Sequence, residues 1–254
     1  QVGLEAFEEG QPKIKGVVRL SEAGEEKIKL DKYDVIIMNP PFTRQERIPE
    51  EYKKLLEERF EEYKEQLHGR LGYHGYFILL ADRFLNEGGR LALVLPATVL
   101  RVKSYEGIRK MLAEKYQIDY IITTYHRSAF SESVRFREIL LIARKSSPKN
   151  KTKFVVLKAL PETLAEARKL ADLITVAGDR YDDGKISVRS VSGTALRRDV
   201  ENWFKYMAVS NLSLIDFMEK LFRSNKVTSF SSVAQALFPP KLQHLRFRNF
   251  HAFL

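Results

Sequence analysis

The tetrapeptide Asn39-Pro40-Pro41-Phe42 concentrates the residue types best suited to chemistry on a planar amine. An exocyclic amine on a nucleobase or an amide is a poor nucleophile, because its lone pair is delocalised into the conjugated system. A catalyst must let that nitrogen pyramidalise and tolerate the positive charge that develops, and hydrogen-bond acceptors aimed at its two N–H groups do both. The Asn39 side-chain oxygen and a carbonyl in a proline-stiffened loop are such acceptors, since each proline fixes φ near −65° and removes a competing donor. Phe42 adds a flat face on which a base can stack, and a duplex base reaches such a loop only by swinging out of the helix. The competing use of these residues is a rigid turn that only ends a strand. By average residue usage, Asn or Asp, two prolines and an aromatic in a row arise by chance in roughly one chain in 200 of this length.

Other chemistries are poorly supplied. The chain has no cysteine and five scattered histidines, so thiolate zinc sites, disulfides and cysteine nucleophiles are excluded and no HExxH pair exists. No metal site is expected. His68, His74 and His126 stand apart from other ligand types and read as structural. Arg44 and Arg47, beside the double proline, are candidates for phosphate contact; ion pairs with Glu46 or Glu50 are their alternative use.

The elements that must hold the tetrapeptide follow from periodicity. Tyr33–Met38, YDVIIM, is a short β-branched run that reads as a buried parallel strand ending at Asn39, and the loop outside a strand's carboxyl end is where open α/β sheets place ligands. A charged helix is predicted over residues 50–67 and an apolar one over 76–85, closed by Asn86-Glu87-Gly88-Gly89. Strands are predicted at 90–95, Gln117–Thr124 and 137–143, with a helix at 104–115 between the first two. This alternation predicts a mostly parallel, doubly wound α/β sheet. Upstream, GVVRL and EEKIKL fit a hairpin around Ala23-Gly24. The basic joint at residues 145–153, KSSPKNKTK, marks the expected boundary between a first domain, 1–148, and a basic α+β extension, 149–254. In the extension a helix is predicted at 162–174 and a hairpin around Asp183-Gly184.

Composition narrows the partners. The 254 residues suit one or two domains, 44% are hydrophobic, which excludes general disorder, and the formal net charge is +10. A basic surplus suits a polyanion, because each neutralised phosphate releases counterions; solubility and dense ion pairing are the plainer readings. No apolar run reaches the ~18 residues that span a bilayer, and residues 1–16 lack the form of a signal peptide. A soluble, cytoplasmic protein with no membrane partner is expected.

Around the tetrapeptide the sequence resembles the S-adenosylmethionine-dependent, amino-methylating DNA methyltransferases, particularly the adenine-N6 enzymes of restriction-modification systems. NPPFTRQERIP resembles their NPPY and the Arg-Gln-Glu stretch after it. GYHGYFILLADRFLNEGGRLALVLPATVL resembles their following helix, Gly-Gly turn and Pro-terminated strand, and AFSESVRFREILLIARK their last motif. The resemblance implies a partial Rossmann-like class I methyltransferase sheet, S-adenosyl-L-methionine as cofactor and double-stranded DNA as partner. It implies that Asn39 and the Pro40 carbonyl hold the adenine amino group, with Pro41 stiffening the loop and Phe42 stacking on a flipped base. Phe130 would sandwich the other face. Asn39 and Phe77 would face the cofactor, although Phe77 serves equally well as a core residue of an apolar helix.

In one respect the chain departs from that family, whose FxGxG cofactor loop and following acidic residue precede the NPPF strand. Only 32 residues lie upstream of Tyr33, and neither element is among them. The expectation is therefore the latter part of a longer enzyme, with an N-terminal segment or another subunit completing the sheet. In the extension, Trp203, Phe204, Tyr206, Arg246 and Arg248 suit the start of a DNA target-recognition region; a solvated helical extension is the plainer reading. RNA adenine or protein glutamine N-methylation suits the same loop chemistry. A non-catalytic DNA-binding or subunit-docking piece suits the missing glycine loop.

Overall fold

The computed structural model describes the backbone of residues 16–21 and 24–29, residues 31–42, 45–125 and 137–207, and residues 217, 220, 221 and 224. The chain divides into compact units at residues 1–210 and 211–254. In the first, β1 (Gly16–Ser21) and β2 (Gly24–Lys29) pair as the predicted antiparallel hairpin, with Ser21 opposite Gly24.

Seven strands form the main sheet: β3 (Tyr33–Met38), β4 (Leu85–Pro96), β5 (Gln117–Thr124), β6 (Glu138–Arg144), β7 (Thr152–Leu157), β8 (Arg180–Asp182) and β9 (Ile186–Val191), in the order β3-β4-β6-β5-β7-β9-β8. Only β3/β4 and β5/β7 are parallel; β6 runs against both its neighbours, and β9 against β7 and β8. The expected mostly parallel sheet is thus a mixed one. The reason is connectivity: β6 begins at the edge where β5 ends and enters the slot between β4 and β5, and the Asp183-Gly184 hairpin, with Gly184 at φ +84, reverses the last strands.

Strand β3 is parallel, as its composition predicts, but it is not buried. Among the described residues it pairs only with β4, and Tyr33, Val35 and Ile37 are 49%, 57% and 77% exposed. Only Ile36 and Met38 pack against the core. A strand with one free side keeps one face and one row of backbone groups open.

Helices α1 (Glu50–Arg59), α2 (Tyr73–Phe84) and α3 (Glu106–Lys115) belong to the connections around β4. Leu91, Leu93 and Leu95 of β4 and Ile139 and Leu141 of β6 are buried in one cluster with Ile78 and Leu79 of α2 and Ile108 and Leu112 of α3. On a second cluster Ile174 of α4 (Leu164–Val176) meets Val155, Leu157, Ile186 and Val188. The predicted helix over 50–67 stops at Phe60 and resumes as a 3-10 turn at Glu61–Tyr63. Tertiary contacts outweigh helix propensity there: Phe60 packs 5.6 Å from Tyr76, and Arg83 lies 4.4 Å above its ring.

Tyr63 is drawn inward to a buried carboxylate. Asp82 accepts hydrogen bonds from Tyr63 Oη at 2.8 Å and Tyr116 Oη at 2.7 Å, and Lys145 Nζ lies 3.2 Å away. Burial alone would push its pKa up, but the two phenol hydrogen bonds and the Lys145 charge outweigh burial and hold it below the ordinary carboxylate value. A depressed carboxylate pKa stabilises the fold above its unfolded value of about 3.9, and that contribution disappears as pH falls through the folded pKa. Thermal stability attributable to Asp82 is therefore constant from pH 7 to 5 and declines below about pH 4. Asp82→Asn should cost about 3 kcal/mol at neutral pH, because buried Lys145 loses its nearer counter-charge and keeps only the exposed Glu87 carboxylate at 3.8 Å, and should flatten the acid limb of a melting-temperature profile. An acid limb as steep as the wild type's would refute this.

The basic joint at 145–153 is a tight connection within the sheet. The Gln117 side-chain oxygen accepts from the backbone N–H groups of Lys149 and Asn150 at 2.8 and 2.7 Å, and β7 starts two residues later. The division between compact units falls after residue 210. Lys153 in β7 donates to the carbonyls of Ile174, Thr175 and Ala177, satisfying the end of α4. Trp203 and Tyr206, expected near DNA, are buried: Trp203 is fully enclosed with its indole N–H on the Leu196 carbonyl at 2.9 Å, and Tyr206 packs 5.3 Å from Phe154. An indole whose N–H has a partner gains more from burial than from exposure. Phe204 is half-buried with Arg101 over its ring.

Candidate active site

The carboxyl ends of β3, β4 and β5, at Met38, Pro96 and Thr124, and the start of β6 at Glu138 lie at one edge of the sheet. Asn39 leaves that edge directly from β3 and is exposed, Pro40 is buried, Pro41 is exposed and Phe42 is half-buried. One proline anchors the loop while the neighbouring amide side chain stays accessible to a ligand.

An aromatic column supports Phe42 from within. The ring of His74, in the first turn of α2, meets Phe42 at 6.2 Å between centroids and 77° between planes. On its other side His74 stacks on Tyr105 at 5.0 Å and 14°. The Tyr105 hydroxyl accepts a hydrogen bond from the Gly72 N–H at 3.1 Å, which ties the column to the start of α2. Burial lowers the His74 pKa to about 4, so the imidazole is neutral at physiological pH, and burial raises that of Tyr105 to about 12. Edge and stacked ring pairs of this kind contribute about 1 kcal/mol each beyond area burial.

Asn39, Pro40, Pro41 and Phe42 are therefore together on one loop. Phe77, one helical turn beyond His74 on α2, is half-buried. Arg47 is exposed in the 3-10 turn Gln45–Arg47, and Glu50, one of the two acids suggested as its partner, pairs with Lys53 at 3.1 Å. Phe130 and Arg44 lie outside the described residues, as do Arg246 and Arg248. His74 was not singled out by type or spacing, because nothing in the sequence shows that it meets Phe42. Its place three residues before Phe77, on the same helical face, was the available signal. A buried carboxylate, Glu138, also begins β6 at this edge, with its backbone carbonyl accepting from Thr123 Oγ1 at 2.8 Å. Among the described residues no group of three or more His, Asp or Glu side chains could hold a metal ion. Nor is any described helix long and apolar enough to cross a membrane.

One reversed strand set between parallel neighbours, with an Asn-Pro-Pro-Phe loop at the carboxyl edge of the sheet, defines a mixed α/β unit. Residues 5–130 match the family model described as Eco57I restriction-modification methylase. Over those residues the chain is similar to that family. It is 24% identical over 139 residues to the type II methyltransferase M.BstVI of Geobacillus stearothermophilus, covering 54% of this chain and 24% of that protein. The crystal structure of the type IIG restriction endonuclease BpuSI shares its fold, with a TM-score of 0.56 and 15% identity over 68% of this chain and 21% of that one. The chain thus spans about a quarter of the length of these relatives.

Proposed function

We propose that this chain carries the amine-holding loop of a restriction-modification enzyme that methylates adenine N6 in double-stranded DNA, with S-adenosyl-L-methionine as methyl source. The observation that carries the reading is the exposed Asn39 on a loop anchored by buried Pro40, beside a Phe42 ring braced by His74. In this reading Asn39 Oδ1 and the Pro40 carbonyl accept the two amine N–H groups, which localises the nitrogen lone pair and stabilises the charge that develops. Phe42 takes the face of a base swung out of the duplex and offsets part of the unstacking cost. The cofactor, when bound, supplies an electrophilic methyl group on positively charged sulfur. Alignment of the amine then matters more than a strong base.

Of the cofactor site this chain supplies one wall, Asn39 and the half-buried Phe77. The open side of β3 is where a further strand, from an N-terminal segment or another subunit, would complete the sheet. Arg47, together with Arg44 and Phe130 at the positions the resemblance assigns them, would contact the DNA.

The test is methylation of unmodified plasmid DNA by a preparation in which the sheet is complete, with digestion to nucleosides and mass spectrometry. N6-methyladenine is the expected product. N4-methylcytosine would overturn the adenine assignment, and methyl groups appearing only on RNA or on protein glutamine would overturn the DNA assignment.

A further inference from the structure

His74 is 7% exposed with both ring nitrogens covered, and among the described residues neither Nδ1 nor Nε2 has a hydrogen-bond partner. A neutral imidazole carries one donor and one acceptor. Each buried polar group left unmade costs about 1–3 kcal/mol, so packing alone does not account for the residue. A phenylalanine would make the same stack on Tyr105 and the same edge contact with Phe42 without that cost. The ring's place narrows the use of its nitrogens. It stands in the first turn of α2, against the aromatic of the Asn-Pro-Pro-Phe loop, and its plane is set by Tyr105, itself held by the Gly72 N–H.

We propose that His74 is a base-contacting residue, one of whose ring nitrogens hydrogen-bonds the edge of the nucleobase seated against Phe42. This rests on the reading of the loop as a holder of a base. A nucleobase edge sets ring-nitrogen acceptors beside amino donors, and a neutral imidazole matches either, whereas an imidazolium would offer donors only. Phe42 and His74 then divide the work: one covers the face of the base, the other reads its edge, and the amine is left to Asn39 and the Pro40 carbonyl.

Two measurements test this. His74→Phe preserves ring packing and removes both nitrogens. In a DNA-methylating preparation it should retain the wild-type melting temperature or exceed it, yet lower kcat/KM on unmodified plasmid DNA about fivefold, the loss of one hydrogen bond of average strength. A His74→Phe enzyme with wild-type kcat/KM would overturn the proposal. Should that variant fold poorly, the second measurement stands alone: imidazole 15N spectra of the wild-type chain, titrated with 2′-deoxyadenosine. A shift of the His74 ring nitrogens is expected. No shift, or a shift only with S-adenosylhomocysteine, would overturn the assignment to the base. Wild-type protein that methylates no polynucleotide would instead sink the reading of the loop, a result distinct from a methylating wild type indifferent to His74→Phe.

Discussion

Asn39→Ala is expected to lower methyl transfer by about 100-fold or more in any preparation of this chain that methylates DNA, while DNA affinity and melting temperature stay close to wild type. Removing one preorganised hydrogen-bonding group from a developing charge typically costs 10²–10³ in rate, and here the lost oxygen is one of only two proposed acceptors for the amine. Asn39 is exposed beyond the end of β3, whereas the loop's anchor is buried Pro40, and exposed substitutions of this kind usually alter stability by less than about 0.5 kcal/mol. In the proposed reading the phosphate contacts that dominate DNA affinity are made by other residues, Arg47 among them. Asn39→Asp keeps an acceptor oxygen and should retain more activity than Asn39→Ala. Single-turnover methylation and a filter-binding titration on the same DNA decide the matter: parallel loss of rate and affinity would show that Asn39 binds DNA and does not hold the amine.

The second large effect concerns Arg109, a wholly buried guanidinium in α3. It donates to the carbonyls of Val99 at 2.7 Å, Val102 at 3.0 Å and Glu201 at 3.0 Å, and to that of Val200. These bonds join the loop after β4 to the segment between α5 (Gly193–Arg198) and Trp203. Burial lowers its pKa to about 10, which leaves it charged at neutral pH. Arg109→Met retains most of the apolar stem but strands four carbonyls, and should destabilise the fold by about 3–5 kcal/mol, the range of buried charged networks that lose a member. At roughly 2–4 °C per kcal/mol for a unit of this size, the melting temperature should fall by about 10 °C. Arg109→Lys should not restore it, because an ammonium cannot fork to carbonyls on two sides. The chain's single tryptophan, Trp203, sits at the stapled segment. Its emission should shift to the red in Arg109→Met at denaturant concentrations that leave far-ultraviolet dichroism unchanged. Coincident transitions would mean that Arg109 supports the whole fold and not this segment in particular.

The Asn-Pro-Pro-Phe loop at the end of a strand was legible without coordinates because its signals are local: an amide, two prolines and an aromatic are contiguous, and the β-branched run before them predicts a strand. The same is true of the β1/β2 and Asp183-Gly184 hairpins and of the helices and strands from residue 73 to 144, whose periodicities are short-range. What supports Phe42 was not legible. His74 and Tyr105 are thirty-one positions apart, and only the packing of α2 against the turn at Lys103–Tyr105 stacks them.

By itself the sequence determined most of the elements, their order and the residues proposed to grip an amine, since backbone preference and side-chain type act over a few positions. The tertiary structure alone decided that β6 enters between β4 and β5, that Phe60 breaks a helix its neighbours favour, and that Trp203 is buried instead of facing a polyanion. It also placed a neutral, unpartnered imidazole beside the loop. Each of these depends on which distant surfaces meet, and burial energy is decided by contacts between segments that no window along the chain contains.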